Sequence, residues 1–127
     1  MTPSQLEHLR LIDAHLDKLL DIAAKRTPGE WKWHWRNADE AAPGSIFAMP
    51  REGYAYAVAR CPRYGKDHFS DDATFIASCA GNAEAGWRAT KAAINWLIFM
   101  HDHGEGWRNV GLVDDILAAY PLELITP

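Results

Sequence analysis

Apolar positions recur with helical spacing along residues 70–100: Phe75, Ile76, Cys79, Ala80, Ala83, Trp87, Thr90, Ile94, Leu97 and Ile98 fall on one stripe. Gaps of one, three and four residues are those of a buried helix face. Ser70 is a suitable N-cap, and Asp71 and Asp72 set negative charge against the positive end of the helix dipole. Gly81 followed by Asn82 interrupts the run, predicting a short helix over 71–80 and a longer one over 83–100. The small residues Ala85, Gly86, Ala89, Ala92 and Ala93 let the longer helix sit tightly against a partner.

A second stripe precedes this one. Leu6, Leu9, Ile12, Leu16, Leu19, Leu20 and Ala23 define an amphipathic helix. Thr2 caps it, Pro3 takes the first helical position, and Gln5 completes a capping box. Lys25 and Arg26 suit its carbonyl end. Thr27, Pro28 and Gly29 then read as a stop and a type II turn.

From Trp31 the period changes from helical to alternating. Trp31, Trp33 and Trp35 alternate with Lys32, His34 and Arg36, as in a strand with one apolar face. Residues 45–49 and 54–61 make two further strands about a turn at Pro50, Arg51, Glu52 and Gly53. On the last strand Tyr54, Tyr56, Val58 and Arg60 face one way and Ala55, Ala57, Ala59 and Cys61 the other. Asn109 is placed to cap a final helix through Val113, Ile116, Leu117 and Tyr120, which Pro121 stops. The pattern predicts one α+β domain over residues 1–127: an N-terminal helix, a three-stranded antiparallel sheet, then two to three helices packed on the sheet.

Composition adds bounds on function. The chain has 127 residues, 48% of them hydrophobic and 24% charged, the balance of an ordinary globular domain. Its net charge of −4 is uneven: residues 31–66 carry six basic and three acidic side chains, residues 67–127 three and nine. An acidic chain is poorly suited to general nucleic-acid binding. The two cysteines, Cys61 and Cys79, form no CxxC pair and read as free thiols of a reducing compartment. There is no signal-like N-terminus, and no apolar run approaches the roughly 20 residues a membrane helix needs. A cytoplasmic location is expected.

Motifs that carry chemistry are sparse. His101 and His103, with His68 as a third ligand, are the best metal candidates, yet histidines at a helix C-terminus also complement the dipole. No metal or other cofactor is favoured. Neither cysteine has a base at a recognisable spacing, and adjacent acidic pairs on a helix point apart. Nothing identifies an enzyme. Two surfaces are candidate binding sites: an aromatic and basic one at Tyr54, Tyr56, Tyr64, Arg60 and Arg63, and an acidic one at Asp102, Glu105, Asp114 and Asp115.

Thr27, Pro28, Gly29, Glu30 and Trp31 after an amphipathic helix, and Asp72, Ala73, Thr74, Phe75, Ile76 and Ala77 opening a later one, carry a resemblance. Over roughly residues 6–98 the chain resembles a group of small uncharacterised proteins encoded by phages and prophages. The resemblance implies a mobile-element accessory protein that binds a host or phage protein. It assigns no catalytic residue.

The function expected is therefore a non-enzymatic protein-binding module, a phage-type modulator or inhibitor of a host protein machine such as a nucleic-acid-handling defence complex. A metal-binding protein or metal-dependent enzyme at His101 and His103 is the alternative from another class. Single-strand nucleic-acid binding by the Trp row is a third. A homodimer through the Tyr face is also open.

Overall fold

The computed structural model describes residues 1–26, 29–34, 44–51, 54–61, 69–105 and 109–126. The elements run α1 (Pro3–Lys25), β1 (Glu30–His34), β2 (Gly44–Arg51), β3 (Tyr54–Cys61), α2 (Phe69–Asp102), α3 (Val110–Ala119) and α4 (Leu122–Ile125). They form two compact units, one of Met1–Ala24 with Ala85–Pro127, the other of Lys25–Glu84.

The first unit is helical. Its start is fixed locally: the Gln5 N–H donates to Thr2 Oγ1 at 3.1 Å and the Thr2 N–H to Gln5 Oε1 at 2.9 Å. This reciprocal pair satisfies two of the donors that a helix start leaves open. Leu9, Ile12 and Leu16 of α1, Ile94 and Leu97 of α2, and Val113 and Ile116 of α3 bury together as one core. Trp87, Ile98, Leu117 and Tyr120 border it. Polar contacts join the same helices. His8 Nε2 lies 2.8 Å from the Tyr120 carbonyl oxygen, which only accepts, so Nε2 carries the proton. The Lys91 ammonium donates to Asp13 at 2.7 Å and pairs with Asp17 at 2.9 Å.

In the second unit β1, β2 and β3 pair antiparallel in that order. Trp31 pairs with Ala48 and Trp33 with Ile46, and β3 departs from regular register between Ile46 and Phe47. Ile46 is buried with Ala77 from the first half of α2, and half-buried Trp31 and Val58 pack on them. Arg26 ties the segment together. Its guanidinium donates to the Gly29 carbonyl at 3.3 Å, sits 5.8 Å from the Trp31 ring centroid, and lies 3.9 Å from Glu84.

Two glycines shape α2, one breaking it and one ending it. At Ala80 (φ −65, ψ 123) and Gly81 (φ 84, ψ −49) the backbone leaves the helix, at the interruption that the sequence predicts. Gly104 (φ 77) ends it in a left-handed turn, with the Glu105 N–H bonded to the Met100 carbonyl at 2.8 Å and the Gly104 N–H to that of His101 at 3.0 Å. These two bonds are the Schellman arrangement, in which only the glycine adopts positive φ without strain. Gly29 has the positive φ (93) that glycine adopts without strain, while Thr27 and Pro28 lie outside the described residues.

The expectation of an α+β domain with its helices packed on a three-stranded sheet is corrected. Among the described residues, helices hold more than three times as many residues as strands, and the described chain is mostly helical. Among the described residues the main core is helix against helix, with no strand residue in it. Physically, the apolar stripes of α1, α2 and α3 satisfy one another. Smaller corrections follow. Phe75 and Ile76 are exposed and Ala77 is the buried residue of that turn. Ser70 lies within α2 rather than ahead of it. Asn109 occupies the cap position of α3 without making a side-chain cap bond, and its Nδ2 is buried without a partner. Among the described residues no helix is long and apolar enough to cross a membrane.

Candidate functional site

The second half of α2 carries two apolar stripes. Ile94 and Leu97, bordered by Trp87 and Ile98, face the core. Ala85, Ala89, Ala92, Trp96, Phe99 and His103 follow at gaps of four, three, four, three and four, and every one of them is exposed. Trp96 keeps 47% of its surface in solvent and Phe99 55%. Alternating gaps of three and four put these side chains in a single row, the spacing of a seam that receives another helix. The row is held rather than loose at its aromatic end. The ring centroids of Phe99 and His103 are 4.0 Å apart, and His103 Nδ1 donates to the Phe99 carbonyl at 2.7 Å. Sequence reasoning singled out the small residues of this row but missed Trp96 and Phe99. Their signal was the same alternating gap.

The acidic candidates fall on three elements. Asp102 is exposed at the end of α2, Glu105 is half-buried just beyond the Gly104 turn, and Asp114 and Asp115 are exposed on α3. Apolar neighbours accompany the last two: Val110 stands one turn before Asp114, Leu112 one turn before Asp115, and both are exposed. Leu122, Glu123 and Leu124 continue the exposed apolar and acidic mixture into α4.

The aromatic and basic candidates are less completely placed. Tyr54, Tyr56 and Arg60 belong to β3, an edge strand, in register with Arg51, Ala48 and Ser45. Their side chains, together with Arg63 and Tyr64, lie outside the described residues. Of the Trp row, Trp31 is half-buried against Ile46 and Ala77, which makes it part of a core. An open groove of about 540 Å³ in the second unit is lined by Glu30, Trp31, Thr74, Ala77, Ser78, Ala80 and Asn82. Its described lining offers a carboxylate, two hydroxyls and an amide.

For the histidine site, His101 is half-buried, His103 is exposed and engaged with Phe99, and His68 lies outside the described residues. Among the described residues no three His, Cys, Asp or Glu side chains gather as metal ligands. Cys79 is half-buried with a free thiol.

Among the described residues, one group shows a displaced ionisation. The hydrogen bonds to Asp13 and then Asp17 hold the Lys91 ammonium above its usual 10.5, outweighing the opposing effect of desolvation. Lys91 joins α1 to α2 and faces the carboxylates of one helix, so its charge serves the fold. No family model matches the chain, and neither a curated protein nor a solved structure shows significant similarity to it.

Proposed function

We propose that this chain is a non-enzymatic protein-binding module of the cytoplasm, a phage-type modulator or inhibitor of a host protein machine. The observation that carries the reading is the surface of α3 and α4. Val110, Leu112, Leu122 and Leu124 remain exposed there among Asp114, Asp115 and Glu123. Four large apolar side chains in water are a standing cost that a partner removes, and their acidic neighbours choose which partner does so. The complementary surface is an apolar groove rimmed by Lys and Arg, the kind a nucleic-acid-handling complex presents.

The test is affinity capture from host lysate, quantified by mass spectrometry, with wild type beside an Asp114→Asn/Asp115→Asn/Leu112→Ser variant. These positions are exposed, so each change should move stability by no more than about 0.5 kcal/mol. The reading expects one stoichiometric protein on wild type, at least about tenfold less on the variant, and weaker retention as salt rises. Equal capture by both proteins, or no partner on wild type, overturns it.

A further inference from the structure

We propose that the outward row of α2 is a self-association seam, occupied by the same row of a second copy running antiparallel. The inference is independent of the α3 surface and stands on the order of side chains along the row. Its first half is small (Ala85, Ala89, Ala92) and its second half large (Trp96, Phe99, His103), all exposed. A two-fold axis at the level of Ile94 brings each large residue onto a small one. Trp96 meets the partner's Ala92, Phe99 meets the partner's Ala89, and His103 meets the partner's Ala85. Each pairing occurs twice, as an isologous interface requires. A parallel pair would instead set Trp96 on the partner's Trp96 and leave alanine facing alanine, so the two ends could not close to one interhelical distance.

Charge points to the same arrangement. Arg88 and Asp102 each precede a row position by one residue, Ala89 and His103, and so flank the same side of the seam. The antiparallel axis places Arg88 beside the partner's Asp102 and, by symmetry, Asp102 beside the partner's Arg88. Asn95, also exposed and on that flank, meets the partner's Asn95 on the axis. A parallel pair would put the partner's Arg88 and Asp102 on the other side of the seam, so neither charge would meet its opposite. Size order and charge order are separate features of the sequence, and a single operation satisfies both. The row spans about 27 Å at 1.5 Å per residue, five turns, enough for a small two-helix interface of micromolar affinity.

The experiment is sedimentation equilibrium of the full chain from about 5 to 500 µM, the range around a micromolar dissociation constant. The weight-average mass should climb from 14.2 kDa toward twice that value. Trp96→Ala/Phe99→Ala, and separately Ala92→Glu on the small side, should raise the dissociation constant at least about tenfold while leaving the urea midpoint of dilute protein unchanged. Arg88→Asp and Asp102→Arg should each weaken the dimer, and mixing the two variants should restore it, because the mixed pair recreates both opposite-charge contacts. A chain that stays monomeric at the highest concentration overturns the proposal. So does a dimer indifferent to the Trp96 and Ala92 changes, and a failure of mixing to restore association overturns the antiparallel register.

Discussion

Replacing Lys91 by Met removes the ammonium that bridges α1 to α2 while keeping most of the aliphatic stem. The side chains of Lys91 and Asp13 are each about one quarter exposed, at 25% and 26%, and their contact is 2.7 Å. Asp17, 2.9 Å away, is 60% exposed. A charge-assisted bond between half-buried partners contributes about 1–1.5 kcal/mol, at the lower end for charged groups because water still reaches both. The Asp17 contact adds at most about 0.5 kcal/mol after solvent screening. Losing the cation also leaves Asp13 and Asp17 as like charges one turn apart, worth a further 0.2–0.5 kcal/mol or so. Lys91→Met should therefore cost about 1.5–2.5 kcal/mol, Asp13→Asn about 1, and Asp17→Asn under about 0.5. Urea unfolding at neutral pH reads these as midpoint shifts, with slopes of about 1–3 kcal/mol/M for a domain of this size. The pH dependence has a definite sign. The folded chain raises the ionisation of Lys91 above 10.5, so its stabilisation is complete below that value and is lost as pH rises through the folded value. The gap between wild type and Lys91→Met should stay constant from neutrality to about pH 10 and then narrow. A gap under 0.3 kcal/mol or so, or a double-mutant coupling larger to Asp17 than to Asp13, would refute the reasoning.

Two further changes probe the two faces of α2 and its break. Leu97→Ala empties a fully buried site between three helices and should cost about 3–5 kcal/mol, whereas Phe99→Ala, two residues on and exposed, should stay within about 0.5 in dilute protein. Equal costs in urea unfolding would mean that the inward and outward assignments are wrong. Gly81→Ala meets no atom within 4 Å, so its cost comes only from φ 84 and should be about 1–3 kcal/mol, with calorimetry as the readout. An unchanged melting temperature would show that the helix does not leave its path at that residue.

What could be read from the sequence was local. Thr2 and Gln5 are three residues apart, and the bonds they exchange depend on nothing beyond the first turn of α1. The break at Gly81 was likewise visible, because a glycine ahead of Asn82 in an apolar helical run has few other uses. The phase of the stripe across that break was not visible. Ala80 and Gly81 rotate the chain out of register, so a stripe extended from Ile94 back to Phe75 and Ile76 selects the wrong face, and Ala77 takes the buried position. Asn109 shows another limit: its position ahead of α3 was legible, but the direction of its amide depends on what surrounds it.

The fold class was misread for a related reason. An apolar stripe states that a face is buried and does not name what buries it. The alternating Trp residues made a sheet the obvious cover for the helices, yet Leu9, Ile12 and Leu16 meet Ile94, Leu97, Val113 and Ile116 instead. The same ambiguity hid the outward row. Trp96, Leu97, Ile98, Phe99 and Met100 are a continuous apolar run, and periodicity alone cannot say which of them face inward. Once α1 and α3 cover Leu97 and the side of Ile98, Trp96 and Phe99 are left in water by geometry. A helix apolar on two faces belongs either at the centre of a core or between two interfaces. In this chain the core occupies one of those faces, and the graded row from Ala85 to His103 supplies, in its own reversed copy, the surface that would occupy the other.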